Sequence, residues 1–152
     1  IQKADACKTI KEISDLHPVM CEDYTKRIRS LRKKKICSKQ IAECLDYIYD
    51  HLHTRITIDT LAAHVHLSPA YLSKLFKKET GSTISSYILS TKIETAQNML
   101  TYSNYSISQI ASTLAFPSQS YFTENFRKQT GTTPSQYRSN TLRSTILGKH
   151  KL

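Results

Sequence analysis

Hydrophobic residues recur along this chain at the spacing of an α-helix. Ile41, Cys44 and Ile48 lie three or four positions apart and therefore share one face of a helix. The same spacing returns in three later segments, at residues 58–76, 84–101 and 107–126. Glycine occurs only 3 times and proline 4 times, and the sequence contains no alternating β-branched run bounded by turn residues. The pattern predicts an all-α fold.

Two segments of the chain repeat one pattern. Residues 58–87 are IDTLAAHVHLSPAYLSKLFKKETGSTISSY, and residues 107–137 are ISQIASTLAFPSQSYFTENFRKQTGTTPSQY. Ile58 recurs as Ile107 after 49 positions, whereas Phe76 recurs as Phe126 after 50, so one residue has been inserted near the turn between them. Such a repeat indicates one supersecondary unit that is present twice.

Each copy predicts a short helix, a tight turn and a second helix. In the first copy, Ser68 is the expected N-cap of the second helix, Pro69 its first residue and Gly81 its left-handed C-cap. In the second copy, Ser106 is the expected N-cap of the first helix, Ser118 is that of the second helix, and Gly131 ends the second helix. The expected inner faces consist of Leu61, Ala62, Val65, Leu72, Leu75 and Phe76 in the first copy, and of Ile107, Ile110, Ala111, Leu114, Phe122 and Phe126 in the second.

The outward face of the second helix in each copy carries short polar or charged side chains. Such groups match base edges: Gln pairs with adenine, Glu accepts a hydrogen bond from cytosine N4, and Lys donates to guanine. One such face could equally be an ordinary solvated surface, but its duplication favours insertion into the major groove of DNA. The outward residues are Ala70, Ser73, Lys74 and Lys77 in the first copy, and Gln119, Ser120, Thr123, Glu124 and Arg127 in the second.

A long amphipathic helix is predicted between the copies, from Ile84 to Thr101. At 1.5 Å per residue it spans about 27 Å. Two helices that contact one face of B-DNA enter major-groove segments about 34 Å apart. A linker helix of this length, together with the radius of the helical bundles that it joins, can span that distance. Its expected inward residues are Tyr87, Ile88, Ala96, Met99 and Leu100.

The formal charge of +10 indicates an acidic partner, but the charge is unevenly placed. Residues 26–39 contribute +8 and the tail from Arg143 to Lys151 contributes +3, whereas residues 40–142 contribute only +1. The basic run is therefore interpreted as an auxiliary source of salt-dependent phosphate affinity.

Enzymatic chemistry and metal binding find little support in the sequence. It has no glycine-rich phosphate loop, H-E-x-x-H motif or serine nucleophile elbow, so we predict neither an enzyme nor a cofactor. No metal site is expected, because the cysteines form no C-x-x-C pair and the histidines are scattered. No stretch approaches the roughly 18 apolar residues of a membrane span, so a cytoplasmic protein without membrane contact is expected. The cysteines considered as metal ligands are Cys7, Cys21, Cys37 and Cys44, and the histidines are His17, His51, His53, His64 and His66.

Two other kinds of binding module compete with a reader of duplex DNA. Helix-turn-helix units also serve as protein-interaction modules, and the 9 tyrosines could be stacking platforms for single-stranded RNA. Tyr71, Tyr87, Tyr121 and Tyr137 fall at repeat positions, where core packing is the expected explanation.

Residues 41–140 resemble the DNA-binding domain of the AraC/XylS family of transcription regulators. The resemblance is carried by LAAHVHLSPAYLSKLFKKETG in the first repeat and by IASTLAFPSQSYFTENFRKQTGTTPSQYR, which carries the family signature, in the second. It implies two three-helix subdomains joined by a long helix, each placing a recognition helix in the major groove of double-stranded DNA. It also implies a bacterial regulator, usually an activator that recruits RNA polymerase.

The resemblance also implies roles for individual residues. By position, the candidates for base contacts are Ala70, Ser73 and Lys74 in the first recognition helix, and Gln119, Ser120, Thr123 and Glu124 in the second. The candidates for phosphate contacts or supporting roles are Ser68, Tyr71, Lys77, Ser118, Tyr121 and Arg127.

The expected organisation has three parts. Residues 1–38 form a helical linker, residues 39–140 the tandem DNA-binding domain and residues 141–152 a basic tail. Within the domain, the first subdomain spans residues 39–82, the linker helix 83–102 and the second subdomain 103–140. Because the chain begins with Ile1, a preceding domain for an effector or for dimerisation is expected.

Two features depart from the family pattern. His66 and Ala115 stand in the two turns where the family often has glycine, so they would be strained if the turn requires a positive φ. Lys92 replaces a frequent arginine of the linker helix. It keeps the charge but lacks the bidentate guanidinium, so a phosphate or carboxylate clamp there would be weaker.

Overall fold

The computed structural model describes residues 38–149, which form α-helices and no strand. The all-α prediction is therefore confirmed. The predicted helical linker, the basic run before Ser38 and the last three residues of the tail lie outside the described residues. The helices are α1 (Lys39–Asp50), α2 (Ile58–His64), α3 (Pro69–Thr80), α4 (Ile84–Tyr102), α5 (Ile107–Thr113), α6 (Gln119–Thr130) and α7 (Pro134–Lys149).

The described residues fall into two compact units, which divide between Thr91 and Lys92 within α4. The first unit contains α1, α2, α3 and the start of α4. The second contains the rest of α4 together with α5, α6 and α7. Each unit holds one copy of the repeat as a helix-turn-helix, formed by α2 and α3 in the first and by α5 and α6 in the second.

The predicted helix caps are confirmed. The hydroxyl oxygen of Ser68 accepts a hydrogen bond from the backbone N–H of Tyr71 at 3.3 Å, and that of Ser118 accepts one from Tyr121 at 3.0 Å. Ser106 caps α5 in a reciprocal capping box. The C-caps of α3 and α6 adopt the left-handed conformation, with φ of 80° at Gly81 and 82° at Gly131. These caps satisfy terminal backbone groups, so local sequence determines where the helices begin and end.

The turn inside each helix-turn-helix adopts a left-handed conformation at a residue that is not glycine. The φ angle is 56° at His66 and 53° at Ala115. The next residue closes each turn, since the N–H of Leu67 donates to the carbonyl of Ala62 at 3.0 Å and that of Phe116 to Ala111 at 2.9 Å. The strain expected at these positions is therefore present. Because the two closures correspond and Ser68 matches Ser118, the inserted residue of the second copy is Pro117.

Replacing either turn residue with glycine should stabilise its unit. A left-handed conformation costs a non-glycine residue about 1–2 kcal/mol, of which the greater flexibility of unfolded glycine offsets part. We expect His66→Gly and Ala115→Gly each to raise the free energy of unfolding by about 0.5–1 kcal/mol in urea titrations. Ala63→Gly, an exposed change inside α2, is the control and should lower it by about 1 kcal/mol. Equal losses for Ala115→Gly and Ala63→Gly would contradict this account.

Equivalent aromatic residues form the core of each unit. Phe76 is fully buried and meets the ring of Tyr87 edge to face, with centroids 5.4 Å apart and an interplanar angle of 81°. Phe126 is fully buried and meets Tyr137 in the same geometry, at 5.5 Å and 81°. The other fully buried core residues include Ile41, Cys44, Ile48, Leu61 and Leu72 in the first unit and Ile110 and Phe122 in the second.

Helix α4 buries more of its surface than its apolar stripe predicts. Ala96, Met99 and Leu100 are buried as expected, and Tyr87 and Ile88 are partly buried. The buried set also includes Thr91, Lys92, Ile93 and Thr95. Thr91 fits this environment because its hydroxyl donates to the carbonyl of Tyr87 at 2.9 Å, which satisfies the polar group within the helix.

Candidate nucleic-acid interface

The buried residues of helix α3 and the residues predicted to contact DNA lie on opposite sides of the helix. Leu72 and Phe76 are fully buried in the first core. On the other side of the helix, Ala70, Lys74 and Lys77 are exposed and Ser73 is half-buried. Because Ser68 caps the helix and Pro69 opens it, the predicted contact residues begin within its first turn. The structure thus places the predicted side chains of α3 on one accessible face.

Helix α6 repeats this arrangement and adds an open depression. Phe122 and Phe126 are fully buried, while the predicted contact residues lie on the accessible side. Five of those residues line the depression together with Thr133, which precedes α7. The lining consists of Gln119, Ser120, Thr123, Glu124, Arg127 and Thr133.

Thr133 is a lining residue that sequence reasoning missed. Its backbone N–H donates to Oε1 of Gln136 at 3.1 Å, and its hydroxyl oxygen accepts from the backbone N–H of Gln136 at 3.3 Å. This reciprocal pair is a capping box, for which T-P-S-Q is the sequence signature. Reading that signature would have located the start of α7 and drawn attention to Thr133.

An ion pair lies along the exposed side of α6. Nζ of Lys128 is 2.7 Å from Oε1 of Glu124, and the two side chains are 67% and 64% exposed. Hydrogen bonding to Lys128, together with its positive charge, lowers the pKa of Glu124, and the same contacts raise the pKa of Lys128. At the corresponding positions of α3 the residues are Lys74 and Lys78, so the two exposed faces differ in charge.

The expectation that core packing explains all four repeat tyrosines is wrong for two of them. Tyr87 and Tyr137 pack against the core phenylalanines as expected. Tyr71 and Tyr121 remain 55% and 45% exposed in the first turns of α3 and α6. Each tyrosine follows the N-cap serine by three residues, and the Tyr121 ring lies 6.3 Å from the partly buried Phe116 ring, measured between centroids. The exposed rings therefore lie at the start of the two helices whose accessible faces carry the predicted contact residues.

Lys92 contacts the turn between α5 and α6 through its ammonium group. Its side chain is only 7% exposed, and Nζ donates to the backbone carbonyl of Leu114 at 2.7 Å. The ammonium group also lies 5.7 Å from the centroid of the Phe116 ring. Burial lowers the pKa of Lys92, because the charged form loses hydration. Lys92 thus ties α4 to the turn that leads into α6.

Arg138 is a second cation that stabilises the fold of the second unit. Its Nη2 donates to the carbonyl oxygen of Tyr105 at 2.6 Å, and its Nε donates to that of Leu100 at 3.3 Å. A longer contact of 3.5 Å joins Nη2 to the carbonyl of Ser103. Desolvation lowers the pKa of Arg138. The guanidinium therefore holds the end of α4 and the following loop against α7, a role that sequence reasoning did not assign.

Residues 38–149 contain neither a candidate metal site nor a membrane-spanning helix. Within that range, no three histidine, cysteine, aspartate or glutamate side chains are grouped so that they could hold a metal ion. None of the helices described there is both long and apolar enough to cross a membrane.

This chain is similar in sequence to known proteins that contain a helix-turn-helix domain. Residues 61–140 match the protein-family model described as a helix-turn-helix domain. Together with the two equivalent units and their signature residues, this match defines the class as DNA-binding transcription regulators. The chain belongs to the AraC/XylS family of these regulators, and the resemblance seen in the sequence is confirmed.

The matched relatives are bacterial regulators that are longer than this chain. The chain is 41% identical over 112 residues to YobQ, an uncharacterized HTH-type transcriptional regulator of Bacillus subtilis (strain 168). It is 37% identical over 83 residues to the regulatory protein PocR of Salmonella typhimurium. These matches cover 74% and 55% of this chain, but only 46% of YobQ and 27% of PocR. The chain thus spans less than half the length of either relative.

A solved structure of a related domain contains DNA. The DNA-binding domain of AdpA, a global transcriptional factor, in complex with a target DNA, matches this chain with a TM-score of 0.65 and 30% sequence identity. The match covers 68% of this chain and 93% of the AdpA domain. The two share their fold over nearly the whole of the domain that contacts DNA in that complex.

Proposed function

We propose that this chain reads two segments of the major groove of double-stranded DNA, one with α3 and one with α6. The observation that carries the proposal is the shared division of the two helices. Each buries two large apolar residues and presents short polar or charged side chains on the opposite face. Such side chains reach base edges, and an α-helix fits the width of the major groove.

We assign base contacts and phosphate contacts to different positions on this face. The exposed cation Lys77 and the exposed Arg127 suit phosphate oxygens, which carry no sequence information. Ser68 and Ser118 suit them too, since each hydroxyl accepts a hydrogen bond from its own helix and can still donate one. Tyr71 and Tyr121 complete the phosphate set. The proposed base contacts come from Ala70, Ser73, Lys74, Gln119, Ser120, Thr123 and Glu124.

Family membership supports several further proposals about the whole protein. We propose a cytoplasmic transcription activator that recruits RNA polymerase and has no enzymatic activity of its own. Residues 39–140 constitute its DNA-binding domain, with the linker helix at 83–102. Control by an effector, or dimerisation, belongs to a domain outside this chain.

Selection from a random library of DNA duplexes tests the proposed function. We expect an enriched sequence with two half-elements about one helical turn apart. The enriched duplex should bind more tightly than a scrambled one at every salt concentration, and more tightly than either of its single strands. Salt-sensitive binding without enrichment would contradict sequence-specific reading. Preference for a single strand would favour the exposed tyrosines as stacking platforms instead.

Lys74→Ala should relax the specificity of the chain rather than only its affinity. A side chain that reads a base edge contributes about 1–3 kcal/mol of discrimination, so preference at one or two base pairs should fall about tenfold. Lys77→Ala is the control, because loss of a phosphate contact weakens binding to all sequences and flattens the salt dependence. Binding of each variant to a set of single-base variants of the selected duplex measures both effects. Equal losses on every duplex for Lys74→Ala would exclude a base-reading role.

A further inference from the structure

We infer that Lys128 is a positioning residue that holds the carboxylate of Glu124 for recognition of cytosine. The inference rests on the proposed function, in which α6 enters the major groove. It starts from a difference between the two repeats, because the residue that corresponds to Glu124 in α3 is Lys74. The residue four positions further along is a lysine in both helices, Lys128 in α6 and Lys78 in α3. Only α6 therefore pairs this lysine with an acid.

A carboxylate in the DNA groove needs a compensating charge. The phosphates give the groove a negative potential, which opposes the approach of an uncompensated acid. Lys128 supplies the missing charge, since its Nζ lies 2.7 Å from Oε1 of Glu124. In water such an exposed pair is weak, but it strengthens where the duplex excludes solvent. The pair can therefore contribute more in the complex than in the free protein.

The geometry of the pair leaves a defined acceptor. Lys128 contacts Oε1, so Oε2 of Glu124 is available to accept a hydrogen bond. Glu124 also lines the depression of α6, whereas Lys128 is outside that lining. The lysine thus restrains the acid from the side, while the acid lies among the proposed base contacts Gln119, Ser120 and Thr123.

The chemistry of the bases selects cytosine as the target. Cytosine N4 and adenine N6 both donate hydrogen bonds in the major groove, but adenine also presents the acceptor N7 beside its amino group. That acceptor repels a carboxylate, so the restrained acid favours cytosine. In α3 the residue that corresponds to Glu124 is Lys74, which suits the O6 and N7 acceptors of guanine instead. The two half-elements of the target should therefore differ at corresponding positions.

Binding of the full 152-residue chain to the selected duplex and its single-base variants tests this inference. We expect the wild-type chain to prefer cytosine at one position of one half-element, and Lys128→Met to reduce that preference about fivefold. Lys128→Arg should restore it, because the charge and a donor return. Glu124→Gln should shift the preference at that position to adenine, the base that glutamine recognises through paired hydrogen bonds.

Lys78→Met is the matched control, since it removes the same side chain at the same place in the other repeat. It should lower affinity equally on all four bases at the tested position. If Lys128→Met gives the same uniform loss, Lys128 is a phosphate contact and the inference is wrong. If the wild-type chain prefers a sequence but Glu124→Gln leaves every base preference unchanged, the inference fails while the proposed function stands. If the wild-type chain shows no sequence preference at all, the proposed function itself fails.

Discussion

Replacing Phe126 with alanine should lower the free energy of unfolding of the second unit by about 4 kcal/mol. Phe126 is fully buried, and its ring lies 5.6 Å from the Phe122 ring and 5.5 Å from the Tyr137 ring, measured between centroids. The change removes both aromatic contacts and leaves a cavity between α6 and α7. Loss of far-UV circular dichroism in urea measures the effect. A decrease of less than about 1 kcal/mol would show that the core closes around the missing ring.

Small domains are commonly stable by only about 5–15 kcal/mol, so the alanine variant can leave the second unit unfolded. Phe126→Leu keeps most of the apolar volume and should lose about 1–1.5 kcal/mol, which remains measurable. Phe76→Ala is the matched change in the first unit, where the Phe76–Tyr87 contact has the same edge-to-face geometry. A comparable loss for Phe76→Ala would show that the duplicated cores are equivalent in energy as well as in structure.

Replacing Arg138 with methionine should lower the free energy of unfolding by about 3 kcal/mol, because half-buried carbonyl groups lose a charged donor. The carbonyls of Leu100 and Tyr105 accept from Arg138 at 3.3 and 2.6 Å. Methionine keeps an unbranched apolar stem in place of the first part of the arginine side chain and removes every donor, so most of the loss reports the hydrogen bonds. Thermal or urea denaturation of the two proteins measures the difference.

Arg143→Met provides the control, because Arg143 lies on the same helix and is exposed. Its removal should change stability by less than about 0.5 kcal/mol. The effect of Arg138→Met should also persist in high salt, since the acceptors are neutral carbonyls at direct hydrogen-bond distance. A loss that disappears at high salt would instead assign the role of Arg138 to long-range charge.

Local signals account for most of what the sequence could predict. Ser68, Ser118 and Gly81 act within a few residues of themselves, so their cap roles follow from the sequence and are confirmed. The inner faces of the short helices also follow from local sequence, because helical periodicity places Phe122 and Phe126 on one side of the helix. The fold class followed from these elements and from their repetition.

Contacts between distant residues account for what the sequence could not predict. Lys92 is buried and donates to the carbonyl of Leu114, which lies 22 residues away in the chain. Arg138 meets the carbonyl of Leu100 across 38 residues. The sequence had suggested Lys92 only as a phosphate or carboxylate clamp, and it had suggested no role for Arg138. The exposure of Tyr71 was missed for a related reason, since position in a repeat does not reveal whether a ring can reach the core.

The predicted contact residues of α3 and α6 share faces as the sequence indicated, but their assignment to bases or phosphates remains a prediction. Periodicity fixes which side of a helix a residue occupies. It does not reveal the ion pair between Glu124 and Lys128, because side-chain conformations decide whether residues four positions apart meet. Thr133 joins these residues because the short turn after α6 places it at the edge of the depression.

The separation of buried and exposed residues on α3 has an evolutionary consequence. Leu72 and Phe76 hold the helix in its core, whereas Ala70, Lys74 and Lys77 have little part in that packing. Substitutions at exposed positions generally change stability by less than about 0.5 kcal/mol. Descendants of this chain can therefore exchange these residues one at a time and remain folded at every step. Under the proposed function, the target sequences of such descendants can diverge while the core stays unchanged.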